Sequence, residues 1–87
     1  QLGYWQVTTE KGLYDVSFDL PDIKSDCTAH LKYKDVHIIH PIKVGQKNIV
    51  FKNIQLPEGA GNFHAYIKEE RLAVGPHFVD VHLLQQN

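Results

Sequence analysis

The sequence predicts an all-β fold, a small antiparallel two-sheet β-sandwich of about seven strands, and three observations carry that reading. Turn residues recur about every 10 to 12 positions, the spacing of sandwiches and barrels. Between them, apolar side chains alternate with polar ones at the two-residue period of a strand. No stretch of ten or more residues holds a helical period.

The first strand is read at Tyr4 to Thr9, followed by Glu10-Lys11-Gly12 as a hairpin turn with glycine available for positive φ. The second runs from Leu13 to Leu20. Tyr14, Val16, Phe18 and Leu20 form its core face, and Asp15, Ser17 and Asp19 its wet face. Pro21 closes it, because proline cannot donate to a ladder. In the third, Asp26 to Lys34, the core set Cys27, Ala29, Leu31 and Tyr33 alternates with Thr28, His30, Lys32 and Lys34. The fourth, Val36 to Val44, ends in the turn Val44-Gly45-Gln46-Lys47. In the fifth, Asn48 to Leu56, Phe51 and Ile54 fall out of phase, which predicts a bulge near Asn53. Pro57-Glu58-Gly59 reads as a second hairpin turn before the sixth strand, Asn62 to Lys68, where Phe63, Ala65 and Ile67 face inward. Lys68-Glu69-Glu70-Arg71 reads as a loop. The seventh strand is placed at Pro76 to Leu84, with Val79, Val81 and Leu83 opposite Phe78, Asp80 and His82. Strands with one dry and one wet face suit antiparallel sheets packed face to face.

Eighty-seven residues suffice for one domain with one core, so residues 1–87 are read as a single unit. A net charge of -1 with dispersed Lys and Arg shows no phosphate-tracking stripe, and nucleic acid is not an expected partner. The single cysteine, Cys27, permits no intrachain disulfide and no thiolate metal cluster. No apolar run is long enough to cross a membrane as a helix. The chain opens on Gln1-Leu2-Gly3 and enters strand-like sequence at once, so it reads as an excised part of a longer protein.

Six histidines are the most unusual feature of the composition. His37 and His40 stand three apart on a strand and point to opposite faces, so they cannot share an ion. His30, His64 and His82 fall on faces read as solvated. No metal site and no cofactor is therefore expected. Ser17 and Ser25 lie in no nucleophile motif, and Asp15, Asp19, Asp22 and Asp26 lack calcium-loop spacing, so no catalytic residue is assigned. Tyr14 and Tyr33 are in phase with the core, as is Trp5. Tyr4, Tyr66 and Phe78 point outward, and exposed aromatics of this kind mark a protein contact surface.

Gly3-Tyr4-Trp5-Gln6-Val7 followed by Lys11-Gly12-Leu13-Tyr14-Asp15-Val16 resembles the start of the C-terminal β-domain of bacterial sulfatases, G-Y-W/F-x-V and then G-x-Y-x-[VIF]. Leu56-Pro57-Glu58-Gly59, Asn62 to Ile67 and Val74 to Val81 resemble that domain's L-x-x-G, L-x-x-W-F and G-A-Y-Y-V-x-V segments in the same order. The chain departs from the pattern at Tyr66, where Trp is common, and at Pro76-His77, where Ala-Tyr is usual. The resemblance implies a non-catalytic accessory domain at the C-terminal end of an arylsulfatase-like hydrolase that is periplasmic or secreted. Its partner would be the catalytic domain of the same parent chain, with Tyr66, His77 and Phe78 at the contact and one wall of the substrate cleft shaped by it. Cys27-Thr28-Ala29-His30-Leu31 begins like the formylglycine sequence C-x-[PA]-x-R, but the arginine is Leu31 here, so Cys27 reads as a buried structural thiol. Two other readings remain open: a carbohydrate-binding or cell-surface adhesion sandwich with a glycan as partner, and an Ig-like spacer.

Overall fold

The computed structural model describes residues 3–69, 72–74 and 79–86; the side chains of Tyr4 and Trp5 and all of His77 and Phe78 lie outside the described set. The described residues form eight strands: β1 (Gly3–Thr9), β2 (Gly12–Asp19), β3 (Cys27–Tyr33), β4 (Val36–Ile42), β5 (Asn48–Leu56), β6 (Gly59–Glu69), β7 (Leu72–Val74) and β8 (Val79–Gln86). One sheet has the order β1-β6-β3-β4, and the other β5-β2-β8. The short β7 pairs with Ile67 to Glu69 of β6, beyond the point where Gly3 of β1 faces Ala65. It is the strand that the sequence reading did not separate. All pairings are antiparallel.

Alternation produces the core directly. Tyr14, Val16 and Phe18 of β2, with Ile49, Phe51, Ile54 and Leu56 of β5, pack against Ala29, Leu31 and Tyr33 of β3 and Phe63, Ala65 and Ile67 of β6. Residues from both sheets thus form one continuous cluster, and burial of these apolar side chains is the main term that stabilises the fold. Cys27 and Leu20 pack at its margin as half-buried residues. Leu83, read as a core residue, is instead 39% exposed. Leu83 keeps its phase opposite core-facing Tyr14, but it lies on the edge strand β8 where the ladder is interrupted: Leu13 faces Gln85, so Leu84 is an extra residue beside it.

The bulge expected near Asn53 is present. Tyr14 pairs with Ile54 and Val16 with Phe51, which puts two β5 residues opposite the single Asp15. Asn53 takes a left-handed φ of 57°, and its amide donates to Asp15 Oδ1 at 3.1 Å. Asparagine is among the few non-glycine residues that tolerate that region.

The two turns read as hairpins are crossings between sheets. β1 pairs with β6 and not with β2, and β5 pairs with β2 and not with β6. Side-chain hydrogen bonds hold both crossings at one corner, a factor that strand periodicity does not report. The Tyr14 hydroxyl donates to the Glu10 carbonyl at 2.6 Å and accepts from the Glu10 amide at 3.0 Å. The Thr9 hydroxyl donates to the Pro57 carbonyl at 2.7 Å, and the Tyr33 hydroxyl donates to the Gly59 carbonyl at 3.0 Å. At the opposite end, Ile23 is buried under the β2–β3 crossing, tied down by the Gly45 amide donating to its carbonyl at 3.0 Å.

Candidate functional site

The outer face of the β4-β3-β6 layer carries the densest group of chemically capable side chains. Its register is set by the β3–β4 hairpin, where only Lys34 and Asp35 separate the paired residues Tyr33 and Val36, and Lys34 adopts φ 53°. Counting outward from that turn, Lys32 faces His37 and His30 faces Ile39 on one side. On the other side Lys32 faces His64, His30 faces Tyr66 and Thr28 faces Lys68. Three histidines, two lysines and one tyrosine therefore share a single surface on three adjacent strands.

His30 sits at the centre and is only 8% exposed, which corrects its reading as a solvated histidine. The cause is its place on an interior strand with a ring on each flank. Tyr66 stacks on its imidazole at 4.5 Å with planes 9° apart, and the His37 ring lies 5.5 Å away. Thr28 Oγ1 is 2.9 Å from its Nε2, and His37 Nε2 is 3.3 Å from its Nδ1. Tyr66, outward as expected, also packs against His64 at 4.8 Å, while the Lys32 ammonium lies 5.7 Å from its ring centre. With its ring engaged in this way, Tyr66 is not an open platform for a neutral sugar.

Burial lowers the His30 pKa below its ordinary 6.5, with smaller contributions from His37, Lys68 and Lys32. Burial lowers that of His64 as well, followed by the charge of Lys32. The unfolded chain therefore binds protons on these groups at higher pH than the folded chain does. Their contribution to stability is intact above about pH 6.5 and is lost as pH falls through the folded-state values. The urea midpoint is expected to fall between about pH 7.5 and pH 5, and less so in His64→Gln. A midpoint independent of pH over that range would contradict the assignment.

The other sequence candidates are dispersed. His37 and His40 do occupy opposite faces: His40 donates from Nδ1 to the Pro41 carbonyl at 2.9 Å and sets its ring against Phe51 at 6.0 Å. Asp15 and Asp26 are backbone acceptors, the latter for the Val44 amide at 3.1 Å. No group of three His, Cys, Asp or Glu that could hold a metal is found among the described residues. His77 and Phe78, expected at a contact surface with Tyr66, lie outside the described residues.

The register also separates charge by face. Among the strand residues with described side chains, the β4-β3-β6 outer face has Lys32, Lys68 and the imidazoles with no carboxylate, whereas the outer face of the other sheet has Asp15, Asp19 and Asp80 beside Lys52 and His82. An open depression lined by Cys27, Thr28, His30, Ile39 and Lys68 marks the cationic face at the Lys68 end. No protein-family model matches this chain, and no curated protein or solved structure is significantly similar to it.

Proposed function

We propose that this chain is a non-catalytic accessory β-sandwich of an exported sulfatase-like hydrolase, docking on the catalytic domain of its parent protein through the outer face of β4, β3 and β6. The observation that carries the reading is the placement of charge: a chain of net charge -1 gathers Lys32 and Lys68 around Tyr66, beside three imidazoles, on a face with no carboxylate among the described strand residues. Such a face steers and orients an acidic partner surface. A half-buried tyrosine with the half-buried Lys32 ammonium 5.7 Å from its ring centre is also the kind of residue that anchors an interface. The motif order shared with sulfatase C-terminal domains supports the choice of partner, since Tyr66 lies in one of the shared segments.

The test is association of this chain with the separately produced catalytic segment. Lys32→Glu combined with Lys68→Glu is expected to weaken it about a hundredfold, and Tyr66→Ala about tenfold. Unchanged association would count against the proposal. The same lysines favour an anionic over a neutral glycan in the alternative reading. Saturable binding of a sulfated or uronic-acid oligosaccharide, lost in the double lysine variant while the catalytic segment is ignored, would favour that alternative.

A further inference from the structure

We propose that His30 and His37 form a two-imidazole site for a divalent transition metal of the Zn²⁺, Ni²⁺ and Cu²⁺ group, on the outer face of the β3–β4 hairpin. His30 Nδ1 and His37 Nε2 stand 3.3 Å apart. Two imidazole nitrogens each about 2.05 Å from a tetrahedral zinc ion are separated by about 3.3 Å, so the ligand spacing is already in place.

The surroundings supply what such a site needs beyond its ligands. A metal-binding histidine uses one ring nitrogen and donates a hydrogen bond from the other, which fixes ring orientation and tautomer. His30 Nε2 has that partner in Thr28 Oγ1 at 2.9 Å, leaving Nδ1 for the ion, and Tyr66 stacked at 4.5 Å holds the ring plane. His37 is the exposed member and the route of entry. Without metal and with His30 protonated at Nε2, the proton between the facing nitrogens is on His37 Nε2, which donates to His30 Nδ1. When an ion enters, that proton moves to the outward nitrogen of His37, both facing lone pairs bind the ion, and none is released from a neutral pair. The rings lie 35° apart, and because His30 is held by Thr28 and Tyr66, the rotation that brings both lone pairs onto one point falls to exposed His37, whose terminal torsion is broad.

Two protein ligands leave the remaining positions to water, so affinity should follow the Irving–Williams order, with Cu²⁺ tighter than Zn²⁺. Lys32 and Lys68, which face the same surface, add repulsion and set an upper limit on affinity. The site does not depend on the proposed docking partner.

The experiment is calorimetric titration of the untagged chain with CuSO₄ and with ZnCl₂, each metal alone, alongside NMR of the imidazole resonances. One ion per chain is expected, with His30 and His37 resonances moving first and Cu²⁺ the tighter metal. His37→Gln, on an exposed edge-strand position and checked for an unchanged far-ultraviolet circular dichroism spectrum, should weaken binding at least tenfold, whereas His40→Gln and His82→Gln should change it less than about twofold. Absence of saturable binding below about 1 mM, an unchanged affinity in His37→Gln, or an equal loss in His40→Gln or His82→Gln would overturn the site.

Discussion

Phe18→Ala is expected to lower the unfolding free energy by about 3 to 5 kcal/mol, the range for deleting a buried phenylalanine ring. Phe18 lies on the central strand β2 and is 2% exposed. Its ring packs against Phe51 on the neighbouring strand at 5.7 Å, and both belong to the cluster that joins the two sheets. Removing the ring takes away its own transfer free energy and leaves a cavity. Strands on both sides fix the backbone, so little collapse can fill it. A domain of this size rests on a margin of roughly 5 to 15 kcal/mol, so the loss is a large fraction of the total stability. Urea denaturation followed by far-ultraviolet circular dichroism measures the change. A loss below about 1 kcal/mol would mean that Phe18 does not face the core, and the alternation argument for β2 would fail with it.

That alternation made the fold legible from sequence. The burial of Tyr14, Val16 and Phe18, of Ala29, Leu31 and Tyr33, and of Phe63, Ala65 and Ile67 follows from parity alone. So does the separation of His37 from His40, and the break in phase between Phe51 and Ile54 located the bulge at Asn53. Parity does not say which strands are neighbours. The crossings at Glu10-Lys11 and Pro57-Glu58 have the composition of hairpin turns, and only the hydrogen bonds of Thr9, Tyr14 and Tyr33 turn them into a corner between sheets. The candidate site was hidden for the same reason. His30, Lys32, His64, Tyr66 and Lys68 each read as a separate polar or outward residue and His37 only as opposite in face to His40, and their convergence requires the order β4-β3-β6. One local signal was available: with only Lys34 and Asp35 between paired Tyr33 and Val36, hairpin arithmetic places His37 diagonal to His30. The pairing of His30 with Tyr66 had no such signal, because β3 and β6 are far apart in the chain.

Gly12→Ala is the second substitution with a large expected effect, and it acts through backbone instead of side-chain packing. Gly12 is buried at the start of β2, paired with Leu56 of β5 on one side and Gln86 of β8 on the other. A Cβ added there would collide with the carbonyl oxygen of Gln85 and come within 3.1 Å of Leu83 Cδ1. Leu83 can rotate away, whereas the carbonyl moves only if β8 moves with it. Overpacking of this kind typically costs 1 to 3 kcal/mol, and the need to displace a strand places this case at roughly 3 kcal/mol. The edge position of β8 determines how the strain is relieved. β5 and the core fix one side of β2, so β8 should peel from the sheet while the rest of the sandwich remains. Hydrogen exchange should then show lost protection in Val81 to Gln85 ahead of β3 and β6. Gly45→Ala serves as the control, since φ 81° is unfavourable for alanine but nothing lies within 4 Å of the added carbon. It should cost about 1 kcal/mol and leave β8 protected. Equal protection of β8 in the two variants would show that the Gly12 backbone has room to spare, and that the close approach of β2 to β8 does not constrain this end of the sandwich.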